Sequence, residues 1–335
     1  MVQSVTPKLK NVNIMTEPLL FDGAADFADG VAAVRLGERW GYIDSAGDVA
    51  VRVQDPNVSV AADFSENLAL ARVGDYYGYL DRTGDWAIEV QYRQAKSFAE
   101  GLAAAQTGSG QYGYINPVGQ WQIAPQYDLA TSFSEGLATV KVGSTYGFVD
   151  AAGELAIPAQ YEDAWRFSHA LAMVQIDGKH GYLNPAGEIA IAPRFDGAFN
   201  FADALARVRL DDRWGYIQPD GSYAIEPQFD FAADFSEGLA VVLTGGKWGF
   251  VDRTGELAIS PQYSYAADFS EGLAAVQIDG LYGYINRSGE PVIEARYSNA
   301  GPFREGLARV QIGQRWGYVN PKGELLALRQ INLQP

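Results

Sequence analysis

The sequence predicts an all-β chain, organised as a tandem array of nine three-stranded antiparallel β-meander repeats of about 34 residues each. Three observations carry this. A phenylalanine recurs at Phe27, Phe64, Phe98, Phe133, Phe167, Phe201, Phe235, Phe269 and Phe303. Within each interval an aromatic-type position is followed by glycine: Trp40-Gly41, Tyr77-Gly78, Tyr112-Gly113, Tyr146-Gly147, His180-Gly181, Trp214-Gly215, Trp248-Gly249, Tyr282-Gly283 and Trp316-Gly317. A second glycine, from Gly47 through Gly84, Gly119, Gly153, Gly187, Gly221, Gly255 and Gly289 to Gly323, is never replaced. A fixed period of this length marks supersecondary units that bury their cores against one another.

The seventh unit, Phe235 to Asp268, shows the logic. The alternation in Leu239 to Leu243 predicts a first strand, and Gly245-Gly246 a tight hairpin. Lys247 to Val251 forms the second strand and Glu256 to Ile259 the third. Between them Asp252, Arg253, Thr254 and Gly255 read as a turn. In that turn the acidic side chain caps local amides and the glycine takes positive φ. The Asp252 position holds Asp44, Asp81, Asn116, Asp150, Asn184, Gln218, Asn286 and Asn320 in the other units, so hydrogen-bond acceptors persist there. The middle strand is apolar on both faces, with Trp248 and Phe250 on one and Gly249 and Val251 on the other. A glycine in a central strand predicts a close neighbour, here expected to be an aromatic ring such as Tyr263 or Phe235. The third strand ends in Pro261-Gln262-Tyr263, and since proline donates nothing to a ladder, that strand finishes there or lies at an edge.

The array is expected to span residues 21–328 as one domain, with residues 1–20 as an N-terminal segment carrying a capping strand and 329–335 as a tail. Nine units can stack as an open solenoid or superhelix, or close into a propeller-like ring. Residues Val12 to Phe21 look like a surplus third strand, while the last unit keeps its own at Glu324 to Leu328. A ring closed by strand sharing would split one unit between the ends, so the open array is the expectation.

With 47% hydrophobic residues and no cysteine, stability must come from packing, without disulfides, Fe–S clusters or thiol chemistry. A net charge of −16 opposes nucleic-acid and anionic-lipid partners. No apolar run spans a membrane and residues 1–20 do not read as a secretory signal, which predicts a soluble monomer, cytoplasmic or exported with a signal removed. The turn carboxylates lack calcium-loop spacing, so no metal or cofactor is expected. His169 and His180 are the only imidazoles, and His180 fills a core aromatic slot. The recurrent Ser236-Glu237-Gly238 block is no nucleophile elbow, and no phosphate loop occurs. A non-enzyme is the expectation.

The run Phe-Ser-Glu-Gly-Leu-Ala-x-Val, then Lys/Arg-Trp-Gly-Tyr-Ile-Asp-x-x-Gly, then Ile-x-Pro-x-Tyr resembles the WG (KWG) repeat family over residues 20–327. Departures are Asn67, Ala170 and Ala204 in place of the first-block glycine, His180 in the aromatic slot, and an insertion near Asp55-Pro56-Asn57. The resemblance implies a bacterial β-repeat protein that mediates interactions and supplies no reaction.

Most aromatics fall at repeat positions and read as a core ladder. Trp86, Trp121 and Tyr223 replace aliphatic residues after the turn glycine and read as buried. Trp165, Phe199, Phe231 and Tyr265 lie in inter-unit loops and are the candidates for ligand stacking. The expected function is therefore a scaffold for another protein or a cell-envelope polymer. The alternative is a carbohydrate- or small-ligand-binding module with sites between repeats, which requires those loop aromatics to be exposed.

Overall fold

Each unit folds as the alternation predicts, with one strand more than expected. In the computed structural model, which describes residues 20–326 and 332–334, the seventh unit is a four-stranded antiparallel sheet in chain order. Its strands are Phe231–Ser236, Leu239–Thr244, Lys247–Asp252 and Leu257–Tyr263. The added first strand comes from the inter-unit loop and is often minimal, as in Tyr265–Ala266 of the eighth unit. Two residues of extended backbone leave no alternation to read, and they pair only because the following strand offers a free edge. The turn predicted at Asp252 forms, its carboxylate accepting from the Thr254 and Glu256 amides at 2.9 and 3.1 Å.

The glycine of the Trp-Gly pair does admit a close neighbour, but a different one. Trp248 pairs with Tyr263 while Phe250 pairs with Ile259, so the fourth strand bulges over Gly249. A Cβ at Gly249 would stand 2.7 Å from both the Ile259 carbonyl oxygen and the Pro261 nitrogen. The visitor is outer-strand backbone, not the ring of Tyr263 or Phe235. Pro261 sits in that bulge on the outer edge, where no ladder hydrogen bond is asked of it.

The array closes on itself, correcting the expectation of an open solenoid. An open stack of nine sheets has eight interfaces, whereas nine apolar clusters lie between neighbouring sheets. The ninth unites Phe21, Phe27 and Ile43 with Leu307 and Tyr318 from the opposite end of the chain. The last sheet has three strands of its own. Its fourth position is filled from both ends: Leu325 bridges Val319, and Phe21 bridges Trp316 as Tyr263 bridges Trp248. Phe21, at the end of the segment read as surplus, thus helps to close the ring; the rest of that segment before Leu20, and the predicted final strand beyond Leu326, lie outside the described residues. Leu333 returns from the C-terminal side to lie over Gly41 of the first sheet. The fold is a nine-bladed β-propeller.

Two repeated devices fasten blade to blade. The aromatic after each glycine is fully buried, and seven of the nine are tyrosines (Tyr42, Tyr79, Tyr114, Tyr182, Tyr216, Tyr284 and Tyr318). Each hydroxyl donates to a backbone carbonyl at the first strand of the next blade, at 2.7 to 2.9 Å. Tyr318 makes this bond to Ala25, across the closure. Burial pushes these phenols far above their ordinary range.

The Ser-Glu-Gly block is the second fastener. Glu237 and Gly238 take φ of 54° and 77°, a hairpin turn of the kind that needs glycine. The Ser236 hydroxyl donates to the Phe269 carbonyl at 2.8 Å, and the Glu237 carboxylate accepts from the Glu271 and Gly272 amides. The same link crosses the closure, where Glu305 accepts from the Gly30 amide. Seven of the nine blades reach the next block with a carboxylate in this way; in blade one Asp29 instead pairs with Arg82, and in blade five His169 replaces the carboxylate and Ser168 donates to the Phe201 carbonyl.

Candidate functional site

First strands face the axis: Arg309 of blade nine pairs with Asp26 of blade one, and the Asp63 carboxylate of blade two feels both. Fourth strands form the periphery, with alternate residues exposed. The connections between blades and the hairpins between second and third strands share one face of the ring; the Ser-Glu-Gly and Asp-x-x-Gly turns share the other.

The two aromatics flanking each glycine separate in kind. Those after it are core, as expected. Those before it (Trp40, Tyr77, Tyr112, Tyr146, Trp214, Trp248, Tyr282 and Trp316), with His180, are only half-buried. They stand in the row nearest the connector face, and in blade seven that row runs Phe231, Leu243, Trp248, Tyr263 across the sheet. His180 is therefore not a core residue. Trp121 also departs from expectation: it is 38% exposed, resting edge-on against Tyr92 of the preceding blade, while Trp86 and Tyr223 are half-buried.

All four stacking candidates lie on this face. Phe231 and Tyr265 are on first strands, whereas Trp165 and Phe199 lie, as expected, in the inter-unit segments, directly after theirs. The half-buried row links them into a continuous arc over blades five to eight. Ring centroids run Trp165–Phe199 5.3 Å, Phe199–Trp214 5.8 Å, Trp214–Phe231 5.9 Å, Phe231–Trp248 5.5 Å, Trp248–Tyr265 6.0 Å and Tyr265–Tyr282 5.9 Å. Edge-on and tilted contacts at these spacings hold the rings rigid. Trp165 and Tyr265 remain 41% and 42% exposed.

Arg207, which the sequence reading missed, underpins the arc. Its guanidinium lies 3.6 Å from the Phe199 ring centre and within 6 Å of those of Trp214 and Phe231. Nη1 donates to the Ala232 carbonyl at 2.9 Å, and Nε approaches Asp234 Oδ1 to 2.8 Å without the alignment of a hydrogen bond. The available signal was a single arginine inside the apolar run Leu205-Ala206-Arg207-Val208.

Between blades five and six the arc opens into a cleft of about 350 Å³, lined among others by Asp163, Trp165, His180, Phe199, Arg209 and Trp214. Two replacements make this room. His180 stands where other blades place a tyrosine or tryptophan, and Gly197 where blades seven and eight place Phe231 and Tyr265. The Trp165 indole N–H donates to Asp163 Oδ2 at 3.3 Å, which fixes the exposed ring at the cleft's edge.

Burial pushes the Asp63, Asp234 and Asp268 carboxyls up, and Asp268 is raised further by Asp234 beside it. A raised native value means the folded state holds the proton more readily than the unfolded chain. That contribution to stability is present at low pH and lost as pH rises through the native value. Hydrogen bonds hold the turn carboxyls of Asp81 and Asp252 low, so theirs is lost only in stronger acid. The melting temperature is therefore expected to rise as pH falls from neutrality through the raised native values of the buried carboxyls, and to fall in stronger acid as the turn carboxyls take up protons. Asp268→Asn should raise it at neutral pH and shrink the acid gain; a melting temperature that falls steadily from neutrality would contradict this.

Among the described residues no group of three or more His, Asp or Glu side chains is arranged to hold a metal ion, and no helix is long and apolar enough to cross a membrane. No curated protein matches the sequence significantly. Among solved structures, a eukaryotic initiation factor is similar at 10% identity with a TM-score of 0.63, over 88% of this chain and 94% of that one. BamB from Moraxella catarrhalis is similar at 12% identity with a TM-score of 0.47, over 88% of this chain and 99% of that one. At such identities the first likeness concerns the fold alone. The model of the WG containing repeat matches nine times in tandem, at residues 13–40, 40–77, 77–109, 112–146, 146–179, 181–214, 214–248, 248–282 and 282–316. The chain belongs to the WG containing repeat family.

Proposed function

We propose that this protein is a non-enzymatic binding scaffold whose connector face engages another protein or a cell-envelope polymer. The observation that carries this is the aromatic arc: seven rings over four consecutive blades, packed rigidly against one another, with Trp165 and Tyr265 left open to solvent. Rigid aromatics lose little conformational freedom on binding, and they anchor recognition surfaces for that reason. On the turn face carboxylates grip the next blade, as Glu237 does, or cap their own turn, as Asp252 does, so the connector face is the better surface for a partner. A second reading, a carbohydrate or small-ligand module with sites between repeats, is favoured by the cleft between blades five and six. The acidic balance argues against a nucleic-acid partner and for a monomer.

The test is capture with the intact array against the double variant Trp165→Ala/Tyr265→Ala. Because both rings are exposed, the variant should melt near the wild-type temperature yet lose its captured partners. Undiminished capture would remove the arc from the function.

A further inference from the structure

The two residues ahead of each repeat phenylalanine divide the ring into unlike arcs. Blades one, two, seven and eight carry Ala-Asp there, ending in Asp26, Asp63, Asp234 and Asp268. The arginines packed on that arc are claimed by it, Arg309 lying 2.7 Å from Asp26 and Arg207 2.8 Å from Asp234. Blades three to six instead carry Lys96-Ser97, Thr131-Ser132, Trp165-Arg166 and Phe199-Asn200. Six of these eight side chains, Lys96, Thr131, Ser132, Trp165, Arg166 and Asn200, line a cleft of about 500 Å³ beside the axis. Asp163 also lines it, its carboxylate taken up by the Ala164 amide at 2.9 Å and the Trp165 indole N–H at 3.3 Å.

The lining is chemically mixed in a particular way. Lys96 and Arg166 are exposed and make no ion pair among the described residues, in a chain of net charge −16. Asn200 Oδ1 is shielded from solvent and accepts no hydrogen bond. Ser132 adds a hydroxyl able to donate and accept, and Trp165 contributes an indole ring that is 41% exposed. Two cations alone would suit any anion. Cations beside paired donors and acceptors and a flat aromatic face suit an anion carried on a hydroxylated ring.

We infer that this cleft binds an acidic sugar residue of an anionic polysaccharide, its carboxylate on Lys96 and Arg166, its hydroxyls on Ser132 and Asn200, and its apolar face on Trp165. An acidic peptide would use the cations but leave the amide, the hydroxyl and the indole without a matching ring. This inference rests on the binding-scaffold reading and names the class of polymer; the net charge of −16 opposes any polyanion at long range, and the two unpaired cations offset that opposition only at this cleft.

The experiment titrates the full chain with a galacturonate oligomer, a neutral galactose oligomer and a polyglutamate peptide, followed by tryptophan fluorescence and calorimetry. Saturable binding of galacturonate is expected, weakened about tenfold or more in Lys96→Gln/Arg166→Gln, as loss of charge-assisted hydrogen bonds requires. The neutral oligomer should bind at least about tenfold more weakly than galacturonate, and both substituted side chains are exposed, so the melting temperature should hold. Absence of saturable galacturonate binding, equal binding by the double variant, or equal binding of the neutral oligomer or polyglutamate would each overturn the inference. If any of these occurs while capture still depends on Trp165 and Tyr265, the sugar assignment fails and the scaffold reading stands; loss of both would sink both.

Discussion

Phe21→Ala is expected to destabilise the protein by about 3–5 kcal/mol, the range for truncating a fully buried phenylalanine and leaving its cavity. The residue is completely buried, its ring 6.3 Å from that of Tyr318, and its backbone exchanges two hydrogen bonds with Trp316 at 2.7 and 2.8 Å. It stands nearly 300 residues from those partners in sequence, so the loss falls on the seam of the ring. Terminal units of an open array contribute only their own increments, and Phe21 would then matter little. Chemical denaturation of this variant beside Phe229→Ala, the interior equivalent paired with Trp214, separates the cases. Comparable losses are expected; a loss under about 1 kcal/mol for Phe21→Ala would place the residue outside the core.

Gly249→Ala is expected to cost about 3 kcal/mol, toward the upper end for overpacking. The added methyl would meet the Ile259 oxygen and Pro261 nitrogen at 2.7 Å and the Pro261 Cα at 2.8 Å. These are backbone atoms of a bulge and cannot swing aside as a side chain would. Gly108→Ala is the matched control, since a Cβ there meets nothing within 4 Å and no positive φ forbids it. It should change stability by less than about 0.5 kcal/mol. Equal melting temperatures for the two variants would refute the close approach.

The repeat was legible because it is written in side chains whose jobs are local. The Asp252 turn, the hairpins and the apolar middle strand follow from neighbours in sequence, and they formed as read. What failed depended on relations between units. The first strands escaped notice because Tyr265–Ala266 has no periodicity of its own. Closure escaped because it is fixed by the angle each blade makes with the next, which no side chain spells out. Phe21, counted within a surplus strand, supplies part of what the last blade lacked. The Trp-Gly pair announced a close approach but not its partner, since a bulging backbone carries no sequence signature. The candidate site was legible in its outliers: Trp165, Phe199, Phe231 and Tyr265 stood out as unexplained by the repeat, and the structure joins them into one arc. Their link through the half-buried row and Arg207 was hidden, because the row before the glycine looked the same as the core row after it.

Ring closure is the claim on which the connector face, its arc and the axial cleft all depend. Because the chain has no cysteine, the pair Asp22→Cys/Arg315→Cys reports on it cleanly: the antiparallel bridge of Phe21 to Trp316 sets Asp22 opposite Arg315 across the seam, where their native side chains pair. Under mild oxidation a closed ring should convert nearly quantitatively to an intramolecular disulfide that leaves the folded monomer intact. Free thiols, or disulfides found only between molecules, would mean that the two ends do not meet.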